Sequence, residues 1–185
     1  MSAEVVAALD EFIYKYLQTA KTNPEMLAIE YASDWPSECY VRPDNSDTST
    51  KWQPVKRDLV ANFNDLEKAL DMSIHQDIVS FYSSYWSDNL NAQTNKGKLQ
   101  LLQPWNQDDF EGLQQNLVGH ILMKRRLNQP ETLFFGLTDE DDFILTVDNR
   151  NGAVMLEQVG LEPQEQLAQN LAEFICSLQP AVDAP

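Results

Sequence analysis

Carboxylates are the groups in this chain best placed to do chemistry. Asp108, Asp109 and Glu111 crowd one segment, Asp139, Glu140, Asp141 and Asp142 run consecutively, and Asp88 lies two residues after Trp86. Paired acids could act as general acid and base. Neighbouring helical residues, however, point about 100° apart, and acids in a first helical turn already complement the positive end of its dipole. The 139–142 run could offer oxygens to Ca²⁺. An EF-hand loop needs ligands at alternate positions and Gly at the sixth, and Phe143 breaks that pattern, as Arg150 does in DNRNG at 148–152. Solvated hairpin turns are the plainer reading of both. His75 and His120 are the only histidines, without an HExxH motif or zinc-like Cys spacing, and His120 is expected to be structural. The six glycines are scattered singly, so no phosphate-binding loop can be written, and there is no GxSxG elbow. No catalytic set, metal or cofactor is expected, and a binding module is favoured by elimination.

The balance of charge narrows the choice of partner. The 185 residues include 13 Lys+Arg against 29 Asp+Glu, a net charge of -16. Such a field repels nucleic-acid phosphate and anionic lipid head groups, so neither nucleic acid nor direct lipid binding is expected, whereas a basic partner is attracted. The excess sits at the two ends, with -6 in residues 1–50, -1 in 51–138 and -9 in 139–185. Apolar runs are no longer than about five residues, far short of the ~20 that span a bilayer. The opening MSAEVVAALDEF carries acids where a secretory signal would carry positive charge, so export is not expected. Cys39 and Cys176 are read as reduced structural thiols.

These groups need elements to position them. Apolar residues at helical spacing predict a helix over 3–19, ended by Asn23-Pro24. Residues 24–54, with four prolines and DNSDTST at 44–50, read as a long irregular loop whose Tyr31, Trp35, Tyr40 and Trp52 pack on the domain. Short helices are expected at 65–70 and 77–85, and strands at 90–94 and 98–103 joined by Asn95-Lys96-Gly97. The clearest helix is capped by Asn106 and ends at Lys124, Arg125 and Arg126, with Phe110, Leu113, Leu117, Val118, Ile121 and Leu122 as its buried stripe. Strands at 132–137, 143–147 and 154–158 follow. A last helix is expected to open at Pro163, bury Leu167, Leu171, Phe174, Ile175 and Leu178, and stop at Pro180. Short turns imply antiparallel neighbours, so the order describes one α+β domain over 1–185, a mainly antiparallel sheet packed with helices.

Several stretches then resemble a known family. WQPV (52–55), FYSSYWSDNLNAQ (81–93), LQLLQPWNQDDFEGLQQNLVGHILMKRRL (99–127), PETLFFG (130–136) and NLAEFICSLQP (170–180) together resemble the Syd family of bacterial SecY-interacting proteins. Where that family usually carries Gly-Asp after the tyrosine-rich helix, this chain has Ser87-Asp88-Asn89. The resemblance implies a SUKH-like α+β domain, not an enzyme, held peripherally on the cytoplasmic face of the bacterial inner membrane. There an acidic concave surface would receive basic cytosolic loops of SecY and restrain or survey the channel. The positive-inside rule makes such loops rich in Lys and Arg, which a -16 domain attracts over a screening length of about 8 Å. The candidate contact residues are Asp88, Asp108, Asp109, Glu111 and Asp139, Glu140, Asp141 and Asp142, gathered into one hollow. Trp105 and Trp86 are the candidate desolvated anchors. The same features would also suit an immunity-like inhibitor of a basic toxin or nuclease.

Overall fold

The computed structural model describes residues 2–41, 49–58 and 62–185. Helix α1 (Ala3–Ala20) buries Val5, Leu9, Phe12, Ile13 and Tyr16 along one stripe, the spacing that predicted it. The 24–54 stretch is more ordered than a loop. After a 3₁₀ turn (Pro24–Leu27) come β1 (Ala28–Glu30), β2 (Tyr40–Val41) and β3 (Ser49–Trp52), an antiparallel sheet in the order β1-β3-β2. Very short strands separated by turn-rich sequence carry too little alternation to register as strands. Pro43 and most of DNSDTST lie outside the described residues. Next come β4 (Val55–Lys56), α2 (Asn64–Leu70), α3 (Gln76–Ser83) and β5 (Tyr85–Trp86). Tyr85, read as helical, instead pairs with Lys56 in the β4–β5 ribbon.

The main sheet has seven strands: β6 (Leu90–Thr94), β7 (Gly97–Leu101), β8 (Thr132–Thr138), β9 (Phe143–Asp148), β10 (Val154–Gln158), β11 (Glu165–Ala168) and β12 (Gln179–Pro180). Their order is β11-β10-β9-β8-β7-β6-β12, every neighbour antiparallel. The helix expected at Pro163 is not there. Residues 165–168 pair with β10, and the helix, α5 (Leu171–Ser177), begins at Asn170, whose Oδ1 accepts the Glu173 N–H at 2.8 Å. Leu167 and Leu171, four apart, had imitated one helical face across that boundary. Pro180 sits on the short edge strand β12, where a missing N–H is tolerated.

Alternation assigns the faces. Phe135 of β8 meets Phe81 of α3 and Phe174 of α5, both at 5.7 Å between ring centroids. Thr132 and Phe134 point the other way, onto helix α4 (Gln107–Arg126), through His120. The α4 stripe departs from expectation near its end: Leu122 is 51% exposed, and Lys124 is buried in its place. Its Nζ donates to Glu157 Oε1 of β10 at 2.9 Å and to the Leu161 carbonyl at 2.8 Å. Glu157 Oε2 accepts from Thr132 and Thr146 at 2.7 and 3.2 Å, so the pair is hydrogen-bonded on both sides. Burial, then the charge of Lys124, holds the His120 imidazole below its usual range against the opposing pull of Glu157. His120 is thus structural, as its position on the helix flank suggested.

Candidate functional site

The start of α4 and the entry to β6 meet at one end of the main sheet. Asn106 caps α4, its Oδ1 accepting the Asp109 N–H at 2.8 Å, while the Asp109 carboxylate turns back to accept the Trp105 N–H at 2.8 Å. Those two bonds fix the helix entry as a reciprocal cap. Across from it, Ser87 N–H donates to the Pro104 carbonyl at 3.0 Å and Asn89 Oδ1 accepts the Gln103 N–H at 3.0 Å. This ties the bend carrying Asp88 to the segment leading into α4. A third segment is stapled on top: Ser37 Oγ donates to the Trp105 carbonyl at 2.6 Å, and Asn106 Nδ2 to the Pro36 carbonyl at 2.9 Å.

Asp88 is half-buried. Burial raises its carboxyl above the usual range, the Asn89 N–H at 2.8 Å opposes the rise, and the charge of Asp109 adds to it. The same Asp88 field reaches Tyr16 and Cys39; burial is the main cause that pushes the Cys39 thiol up to about 11. Asp108 and Glu111 stand exposed on the first turns of α4, and Glu38 is exposed beside Cys39. A cation is present nearby but turned inward. The Arg57 guanidinium stacks 3.6 Å over Trp86, donates to the Tyr82 carbonyl at 3.2 Å, and loses basicity mainly through burial. Among the described residues no three His, Cys, Asp or Glu side chains group so as to hold a metal ion.

This geometry is carried by residues within 99–111 together with 36–38 and 87–89. A family model described as Syd protein (SUKH-2) matches residues 6–180. The chain belongs to the Syd family. Among its relatives, Protein Syd of Pseudoalteromonas atlantica is 55% identical over 183 residues, covering 97% of this chain and 98% of that protein. Protein Syd of Alteromonas mediterranea is 48% identical over 180 residues with the same coverage, and that of Shewanella frigidimarina 44% over 181 residues, 97% and 84%.

Within this Syd-family fold the predicted contact residues divide. Asp88, Asp109, Asp108 and Glu111 come together as described. Asp139 to Asp142 do not join them: they form the β8–β9 turn beside the β6–β7 turn, where Asp139 Oδ2 accepts the Lys98 N–H at 3.3 Å. Asp88 precedes β6 at one end of the β6–β7 ribbon and the 139–142 turn borders the other. Five-residue strands therefore separate the two groups by about 15 Å or more, and the single hollow expected from sequence is two acidic regions. The anchors also change. Trp105 is 7% exposed, edge-on to Tyr40 and Trp52 at 5.0 and 6.3 Å, and belongs to the core rather than to a contact face. Trp86 is half-buried under Arg57. Trp35 was missed. It is 41% exposed and directly precedes Pro36, whose carbonyl is bonded to the α4 cap. Its flanking Asp34 and Pro36 were the available signal, since an aromatic set in polar turn residues has no alternating pattern to bury it.

Proposed function

We propose that this chain is a binding protein, not an enzyme, which docks on the basic cytosolic loops of the SecY channel and so sits peripherally on the cytoplasmic face of the inner membrane. The observation that carries the reading is the acidic end of α4: Asp88 and Asp109 held within each other's field, with Asp108, Glu111 and Glu38 exposed around them and the Arg57 guanidinium stacked inward over Trp86. A carboxylate kept charged in a half-buried place costs stability, which is the mark of a group retained for recognition. Incoming lysines or arginines relieve the repulsion, and Trp35 supplies an aromatic contact at the rim. Family membership supports the choice of SecY as the partner. Inner-membrane vesicles with and without overproduced SecY test it. Binding should rise with SecY content, fall at least about tenfold between 50 and 300 mM salt, and weaken in Asp88→Asn/Asp109→Asn. A complex indifferent to salt and to both substitutions refutes it.

A further inference from the structure

The second acidic region borders a feature of its own. The sheet curls enough that Lys96, in the β6–β7 turn, pairs with Glu165 of edge strand β11, four strands away. Under that bridge, against α5, lies a cavity of about 370 Å³. Its walls include Leu99, Leu145, Leu156 and Phe174. About a dozen waters' worth of liquid volume fits there, with polar partners at the mouth and none on the side chains of Leu99, Leu145, Leu156 and Phe174. That is the lower end of the size range of ligand sites, and barrel-like mouths are a usual place for them. The rim is ionic. Lys96, Lys98, Asp139 and Glu140 line it, and just outside that lining Glu165 pairs with Lys96 and Asp183 stands 3.7 Å from Lys98, so the six charges together leave the mouth net negative. The Asp139 carboxylate folds close over this turn, 3.0 Å from where a Cβ on Gly97 would lie.

We propose that this cavity receives one large apolar side chain from a polypeptide segment, flanked on that segment by lysine or arginine. Apolar walls select the body of the side chain, and the net negative rim selects its neighbours. The inference rests on the reading of the chain as an acidic docking module and adds a separate place where a basic segment gains specificity.

The test compares two synthetic peptides, Lys-Lys-Phe-Lys-Lys and Lys-Lys-Gly-Lys-Lys, by titration calorimetry at 50 mM salt. Burying the phenyl ring should make the first peptide at least about tenfold tighter. Leu145→Trp, which narrows the cavity, should reduce that ratio while leaving the glycine peptide unchanged. Leu145 is buried, so Leu167→Glu is the second variant: Leu167 is only half-buried on β11, lines the same cavity, and would place a charge in it. Equal affinity for the two peptides, or a ratio that survives in folded Leu167→Glu, overturns the cavity proposal and leaves acidic docking standing. Failure of both peptides to bind overturns both.

Discussion

Replacing Lys124 by Met tests how the α4 helix is held to the sheet. Lys124 and Glu157 are both fully buried and meet at 2.9 Å. Removing one partner of such a pair leaves an uncompensated charge, at a cost of about 3–5 kcal/mol. Glu157 keeps its bonds from Thr132 and Thr146, which places the expected loss near the lower figure, about 3 kcal/mol. With 185 residues unfolding at ~2.1 cal/mol/K each, that is a fall in Tm of about 8 °C. The pH dependence adds a second signature. In the native protein His120 is held below its usual range, so as pH falls through about 6.5 the unfolded chain takes up a proton first and stability declines. Without Lys124 one lowering influence is gone, and the imidazole 3.6 Å from Glu157 takes up the missing positive charge. The deficit should therefore shrink between pH 8 and pH 6, measured by urea denaturation. In Lys124→Met/Glu157→Leu most of the loss should return. A deficit below about 1 kcal/mol at pH 8, or one that grows as pH falls, would refute the account.

Two further outcomes follow from particular positions. Asp88 is raised by burial, so its native form holds a proton longer than the unfolded chain, and its ionisation weakens the fold as pH rises through the carboxylate range. Asp88→Asn should raise Tm at pH 7 and lose that gain at pH 3.5, even as it weakens docking; calorimetry at the two pH values decides. Gly152 has φ +80°, and a Cβ there would meet the His75 ring at 2.6 Å. Gly152→Ala should cost more than about 1 kcal/mol in equilibrium unfolding, and a neutral result would show that the 148–152 turn adjusts freely.

The long elements were legible because their residues repeat one period over many positions. α1, the α4 cap at Asn106, and strands β6, β8, β9 and β10 all fall where spacing and turn residues put them. Short elements were not. The strands around Tyr40 and Trp52 last two and four residues, and β11 shares its leucine spacing with α5. The family was legible because its motifs are contiguous. The site was legible only in type: Asp88 and Asp109 could be named as acids, but that they share one end of the β6–β7 ribbon while 139–142 takes the other depends on strand register, which no local pattern encodes. Lys124 was misjudged for the same kind of reason. A lysine in a last helical turn ordinarily serves the dipole, and only the pairing of β9 with β10 sets Glu157 beneath it.

The reciprocal cap at Asn106 and Asp109 bears on kinetics. Asp109 is already tethered to a main-chain amide, and the segment before it is pinned through Pro36 and Ser37. On the proposed docking, a visiting cationic segment would meet a frame that needs no rearranging, and little entropy would be forfeited on arrival. Encounter should be quick and governed by long-range attraction, and the lifetime of the complex should depend on what the visitor, rather than its host, must immobilise.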